Sequence, residues 1–156
     1  MTRTTRSTRR RLLTTAAAGL LTAASLLVAS PANAACPQTG CDRTDPIDTG
    51  CSTGAQNATY NPAYIRQGAT TLAVVELRWS PSCGTNWGKI YNRVSPNNTV
   101  RVWVYRQSPY ATTTKYGGTG YQYYGDQLDG QNATVCAVGE VTTPSGTKYT
   151  STPLCA

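Results

Sequence analysis

The residues best suited to molecular recognition in this sequence are aromatic. The chain has ten Tyr and three Trp but no Phe, and Tyr and Trp combine a flat apolar face with a polar group. In the segment TVRVWVYR, residues 99–106, the two-residue period of a strand puts Arg101, Trp103 and Tyr105 on one face. Such a face suits stacking against a sugar ring or contact with another protein.

A tyrosine- and glycine-rich segment, residues 115–125, extends this candidate surface. The predicted ligand-binding residues are Arg101, Trp103, Tyr105, Tyr121, Tyr123 and Tyr124. The alternative is that these rings cover a small core where it meets water. Exposure of the rings on one continuous surface would favour the first hypothesis.

Three aspartates recur every three residues, at Asp42, Asp45 and Asp48. Carboxylate oxygens are the ligands that Ca²⁺ prefers, which makes this trio a candidate calcium site. The spacing is not that of a D-x-D-x-D-G loop, however, and Asp often bonds nearby backbone N–H groups in turns. The pattern therefore favours turn capping, and we predict neither a metal nor a cofactor.

The residue types limit catalysis. The chain has no His, which excludes a Ser-His-Asp triad and any His-ligated metal. Carboxylate pairs such as Asp126 with Asp129 or Glu140 could serve a hydrolase, but nothing in the sequence sets them about 5–9 Å apart across a cleft. Glu76 and Arg78 share a strand face, where they could clamp a ligand or form a surface ion pair. We therefore predict a protein that is not an enzyme.

The first 34 residues have the form of an export signal. A basic segment precedes an apolar stretch, and Ala32-Asn33-Ala34 gives the small-x-small pattern of a cleavage site. We predict residues 1–34 to be removed, by the Sec or the twin-arginine route, and residues 35–156 to form one secreted domain. Five of the fourteen basic residues lie in the signal, so nine face seven acidic ones afterwards. That balance predicts no nucleic-acid partner, and no later apolar stretch is long enough to insert in a membrane.

Six cysteines follow the predicted signal, at positions 36, 41, 51, 83, 136 and 155. An even number in a small exported domain indicates disulfides, and no close CxxC pair suggests a metal site. A hairpin about Ser145 puts position 136 opposite 154, so a bulge or slipped register would let Cys136 pair with Cys155. The other four cysteines allow three pairings, of which we favour Cys36–Cys41 with Cys51–Cys83.

Short strands and frequent turn residues predict the fold class. Alternating patterns indicate strands at 71–79, 86–94, 99–106, 132–141 and 147–152, while residues 36–54 are loop-like. A short helix at 63–67 is a further expectation. We predict an all-β fold, a small antiparallel sandwich or barrel held by disulfides, with a loop-rich cysteine-containing segment at its N-terminal end.

A composite motif spans residues 41–83. Cys41-Asp42, Asp45-Pro46 and Thr49-Gly50-Cys51 precede the segment VELRWSPSC that ends at Cys83. This spacing resembles that of the DUF2690, or YjfA-like, family of exported bacterial proteins of unknown function. The resemblance implies an extracytoplasmic location and a cysteine-stapled fold. It assigns no catalytic or binding residues.

These observations lead to one functional hypothesis and two alternatives. We expect a secreted, non-enzymatic binding domain whose aromatic β face recognises a cell-envelope glycan or a secreted protein. The first alternative is a small secreted hydrolase that acts on envelope polymers through paired carboxylates. The second is a secreted inhibitor or effector that presents the loop between its first cysteines.

Overall fold

The computed structural model describes Cys36 and residues 38–156. These residues form two antiparallel sheets that pack face to face, which confirms the predicted all-β fold. The predicted signal, residues 1–34, lies outside the described residues. Among the described residues, no helix has the length and apolarity needed to cross a membrane.

Eleven strands are distributed over the two sheets. The front sheet contains β1 (Gln56–Asn57), β2 (Ala63–Gln67), β3 (Thr70–Ser80), β4 (Thr85–Asn92) and β8 (Gln122–Asp129) in the order β1-β3-β4-β8, with β2 also paired to β3. The back sheet contains β5 (Thr99–Arg106), β6 (Ala111–Thr112), β7 (Tyr116–Thr119), β9 (Val135–Thr142), β10 (Lys148–Thr150) and β11 (Leu154–Cys155). At its centre β5 pairs with β9. The short strands β6 and β7 also pair with β5, and β10 and β11 also pair with β9.

The core follows the predicted alternation of the two clearest strands. On β3, Val75 and Leu77 are fully buried, and on β5, Val100, Val102 and Val104 are fully buried against them. Removing one such side chain from water contributes about 1.5–3 kcal/mol. The sheets approach so closely at Gly88 that a Cβ there would clash with the side chain of Val102. The small core is therefore packed tightly enough to require glycine at this point.

The last hairpin has the slipped register that the cysteine positions required. Lys148 to Thr150 pair with Thr142 to Glu140, which centres the turn on Ser145. Beyond Thr150 one extra residue enters the outer strand, so Cys155 lies directly opposite Cys136. A Ser151 hydroxyl accepts the Gly139 N–H at 3.0 Å within this irregular stretch. The structure joins Cys136 to Cys155 across the β9–β11 pair.

Two segments differ from the sequence-based expectations. Residues 63–67 form strand β2 rather than a short helix, because Ala63 and Ile65 face the core while Tyr64 and Arg66 face outward along β3. The segment 115–125 was expected to lie between strands, yet it contains β7 and the start of β8. Glycine weakens a strand pattern, and here pairing with β5 and β4 supplies the order that local propensity lacks.

Candidate functional site

The cysteine loop, which we define as Cys36 with residues 38–55, lies against the outer face of the front sheet. The structure pairs Cys36 with Cys41 and Cys51 with Cys83, the favoured pairing from sequence. Thr49 helps to fix the loop, because its hydroxyl accepts a hydrogen bond from the buried side-chain amide of Gln127 at 2.7 Å. Residues of this loop therefore act as a cover for one half of the sheet.

Two of the three aspartates of the loop have separate structural roles. Asp42 forms an ion pair with the buried Arg106 at 3.0 Å and accepts the backbone N–H of Asp129 at 2.7 Å. Asp45 accepts the backbone N–H of Ile47 at 2.7 Å, as expected for a turn-capping carboxylate. Among the described residues, these carboxylates are not brought together as a metal-binding group.

The predicted ligand-binding residues do not form one surface. Arg101, Trp103 and Tyr105 share the outer face of the back sheet, as predicted. Tyr123 and Tyr124 instead belong to β8 of the front sheet, opposite Ile90 and Lys89 on β4. The sequence did not reveal β8 as a strand of the opposite sheet, so the expectation of one six-residue surface is wrong.

Contacts within the protein occupy much of the back-sheet face. The Lys115 ammonium lies 4.1 Å from the centre of the Trp103 ring and 3.2 Å from a carboxylate oxygen of Glu140. The same carboxylate lies 3.8 Å from the guanidinium of Arg101. Trp103 is half-buried. The charged groups and the Trp103 ring thus interact with one another. These contacts leave a limited area of the ring for a ligand.

The tyrosines of β8 and of the turn before it have different surroundings. Tyr123 donates its hydroxyl hydrogen bond to the Thr119 carbonyl and meets Tyr116 edge-on at 6.4 Å between ring centres. Tyr121 is 63% exposed. Burial, followed by the charges of nearby acidic groups such as Asp45, raises the pKa of the Tyr124 phenol, which stays protonated at neutral pH.

The carboxylates considered for a hydrolase have different surroundings in the structure. Burial, and then the neighbouring Asp45, raises the pKa of Asp126, and neither Asp45 nor Asp126 lines the cleft described below. Glu140 is held by Lys115 and Arg101. Glu76 lies 3.8 Å from Arg78, the surface ion pair considered from the sequence.

A cleft of about 310 Å³ opens at one end of the sandwich. We call it the amide groove because four of its side chains carry carboxamides. Its lining consists of Gln56, Asn57, Ala58, Trp79, Asn86, Gly130, Gln131 and Ala156. No ionisable side chain is among these residues, and the four carboxamides are neutral hydrogen-bonding groups beside one indole ring.

Strand register brings the central members of the amide groove together. Trp79 on β3 lies directly opposite Asn86 on β4 and, on its other side, opposite Gln56 on β1. Trp79 belongs to the core-facing series of β3, but it is only half-buried because the sandwich ends there. The ring therefore forms a wall of the groove rather than part of the closed core.

Hydrogen bonds fix the amides of the groove before any ligand arrives. The Asn86 amide donates to the Arg78 carbonyl at 2.9 Å, and the Arg78 guanidinium donates to the side-chain oxygen of Asn57. Arg78 also bonds the Ala55 carbonyl at 2.9 Å. A Cβ at Gly130 would collide with the Asn86 side-chain oxygen, so glycine is required beside it. The Arg78 side chain thus supports the groove from outside its lining.

The sequence does not single out this site, because the alternation within residues 71–79 puts Trp79 in the same series as the core residues Val75 and Leu77. The signal that could have revealed it is the position of Trp79 at the end of a core-facing series, directly before the turn at Ser80-Pro81. A large ring at that point must lie at the rim of a two-layer fold. Asn86, the first residue after the turn to face it, then supplies the polar partner.

The motif of the cysteine loop now has both a structural meaning and a family. The family model "Protein of unknown function (DUF2690)" matches residues 39–154. The chain belongs to the DUF2690 family. In this DUF2690 protein the motif residues Asp42 and Thr49 fasten the loop to the sandwich. Comparison with curated proteins and with solved structures gave no match.

Proposed function

We propose that this DUF2690 protein is a secreted, non-enzymatic binding domain that holds a neutral segment of a cell-envelope glycan in the amide groove. The observation that carries the proposal is the lining of the groove, which combines the Trp79 indole with four carboxamides and no ionisable side chain. A sugar ring has an apolar face of C–H groups and a rim of hydroxyls. The indole suits the first and the carboxamides suit the second.

The rigidity of the groove supports binding as its role. Asn57 and Asn86 are oriented by two groups of Arg78, its guanidinium and its backbone carbonyl. A preformed site loses less conformational entropy when its ligand binds. Among the described residues, the side-chain amides of Gln56 and Gln131 make no intramolecular hydrogen bond, so both can turn toward a ligand.

A location outside the cytoplasm is part of the same proposal. Three disulfides in a domain of this size favour an oxidising compartment. The predicted signal at residues 1–34 provides a route to it. An envelope glycan would then be within reach of the mature domain.

Binding is favoured over hydrolysis because none of the described residues that line the groove has a side chain suited to acid–base catalysis. Glycosidases generally place two carboxyl groups about 5–9.5 Å apart on either side of the bond to be cleaved. The amide groove contains no carboxylate side chain among its described lining residues. A bound glycan would therefore be held and released unchanged.

The proposal is tested by retention of the secreted protein on purified cell wall. Trp79→Ala should lower the bound fraction at least fivefold, whereas Trp103→Ala, a tryptophan of similar exposure on the back sheet, should leave it unchanged. The double substitution Gln56→Ala with Gln131→Ala changes the groove without changing a core residue. Circular dichroism checks that each variant is folded. Equal retention of the Trp79 variant and the wild type would overturn the proposal, as would loss with the Trp103 variant alone.

A further inference from the structure

A second exposed surface lies on the outer face of the front sheet, beyond the edge of the cysteine loop. Under the loop, Trp87 is 4% exposed and Gln127 is fully buried. Farther along the strands this cover ends. There the register aligns Tyr64, Val74, Tyr91 and Gln122 in one row across β2, β3, β4 and β8. This uncovered half of the sheet is distinct from the amide groove, which opens at the end of the sandwich.

Three cations lie over tyrosine rings on this half of the sheet. The Arg66 guanidinium is 5.1 Å from the centre of the Tyr64 ring. Lys89 and Arg93 are 4.9 Å and 5.5 Å from the centre of the Tyr91 ring. Cation–π contacts hold the charged groups near the sheet instead of leaving them to sample solvent. We call Tyr64, Arg66, Lys89, Tyr91 and Arg93 the cation–tyrosine face.

The positive charges of this face outnumber the one carboxylate beside them, that of Glu76, which lies opposite Lys89. The chain after the predicted signal has nine basic and seven acidic residues, so a random patch would be almost neutral. Within the described part of the chain, Arg66, Lys89 and Arg93 form no ion pair. The nearby Glu76 is engaged by Arg78 at 3.8 Å and by the Tyr91 hydroxyl at 3.3 Å. Three positive charges therefore face solvent together.

The spacing of the charges matches an extended ligand better than a small ion. The charged groups of Lys89 and Arg93 lie 4.9 Å and 5.5 Å from the centre of the same Tyr91 ring, whereas Arg66 lies two strands away, about 10 Å across the sheet. One phosphate or carboxylate cannot reach all three groups. A linear polymer with repeated anionic groups can contact them in succession, and the guanidinium forks suit phosphate and carboxylate oxygens alike.

We propose that the cation–tyrosine face binds a linear polyanion that lacks aromatic bases. Single-stranded nucleic acids are usually held by stacking of bases on aromatic rings. Here two cations lie over the Tyr91 ring and one lies over the Tyr64 ring, so the rings are already engaged in supporting the charges. Recognition is by repeated charge, and the surface is independent of glycan binding in the amide groove.

The test measures binding of fluorescently labelled inorganic polyphosphate to the mature protein at low ionic strength. Arg66→Gln with Arg93→Gln should weaken binding at least tenfold. The matched control, Arg101→Gln with Lys148→Gln, removes the same charge from the back sheet and should weaken binding by less than threefold. Both pairs are on the surface, and circular dichroism verifies the fold. The affinity should fall as the salt concentration rises. The slope of log affinity against log salt concentration should be smaller in magnitude by about two in the variant that lacks Arg66 and Arg93.

Three outcomes would overturn the proposal. The first is that the wild-type protein does not bind polyphosphate at low salt. The second is an equal loss of affinity in the two double variants, which would mean that net charge alone is responsible. The third is competition by monomeric phosphate at the same total phosphate concentration. A single-stranded oligonucleotide that binds at least tenfold more tightly than polyphosphate would refute the exclusion of bases. Polyglutamate as a second competitor shows whether carboxylates substitute for phosphates.

Discussion

Asp42→Ala should lower the free energy of unfolding by about 3–5 kcal/mol, because it leaves a buried guanidinium without its counter-charge. The Arg106 side chain is 5% exposed and that of Asp42 is 16% exposed, and their charged atoms lie 3.0 Å apart. The same carboxylate accepts the Asp129 backbone N–H at 2.7 Å. Its removal leaves the guanidinium with only the Pro109 and Asp129 carbonyls and no counter-charge, and it leaves the backbone donor without a partner.

A surface ion pair in the same domain provides the comparison. Glu76→Ala breaks the pair with Arg78, in which the atoms are 3.8 Å apart and the side chains are 21–23% exposed. Exposed pairs of this kind contribute about 0–1 kcal/mol. The two substitutions remove the same charge, so the difference between them reports burial and geometry.

The assay is urea unfolding with the disulfides intact, in which the midpoint and the slope give the free energy. Arg106→Met removes the buried charge. Asp42→Ala should therefore cost less stability in the Arg106→Met background than in the wild-type protein. An Asp42→Ala cost below about 1 kcal/mol, equal to that of Glu76→Ala, would refute the claim that this motif residue fastens the cysteine loop through Arg106.

Three further predictions concern packing, pH and the covalent frame. Gly88→Ala should destabilise the domain by about 1–3 kcal/mol in the same urea assay, because its Cβ would overlap the side chain of Val102; an unchanged midpoint would contradict the close approach of the sheets. Because burial raises the pKa of Asp126, its ionised form opposes folding, and this cost is present above the raised pKa and fades as pH falls through it. Asp126→Asn should therefore raise the melting temperature near neutral pH and not at about pH 3, and a gain of equal size at both would exclude this cause. Replacing both Cys136 and Cys155 by serine should cost about 3 kcal/mol, since their bridge closes a loop with a sequence separation of 19, and a melting temperature that does not fall would show that the bridge is dispensable.

The parts of the fold with strong alternation could be predicted from the sequence. The apolar faces of β3 and β5 lie where the two-residue period of Val75, Leu77, Val102 and Val104 puts them. The register slip near Cys155 also followed from the turn at Pro144-Ser145-Gly146, because a hairpin fixes which residues can meet. These features depend on local pattern, which a single sequence contains.

The order of β8 within the front sheet depends on long-range pairing and was missed. Its sequence, QYYGDQLD, has no clear apolar alternation, and the register shifts between Trp87 and Lys89 where β4 meets it. The candidate surface of six residues failed for this reason. No local signal states that Tyr124 lies beside Lys89 in one sheet while Trp103 lies in the other.

The amide groove was missed for a related reason. The alternation of β3 correctly predicts the direction in which Trp79 points, but it does not show that the second sheet ends before reaching it. A residue of the core-facing series then becomes the wall of a cleft. The amides that complete the groove come from β1, β4 and the turn after β8, which only the folded chain brings together.

The binding of a neutral glycan in the amide groove is tested most directly by titrating the ¹⁵N-labelled mature protein with envelope-derived oligosaccharides. The Trp79 indole N–H and the side-chain amides of Gln56, Asn57 and Gln131 report on the groove itself. We predict that these resonances shift together with one saturating affinity, while the Trp103 indole N–H does not move. A saturating shift of Trp103 with a stationary Trp79, or no shift of either at saturating oligosaccharide, would contradict the proposal.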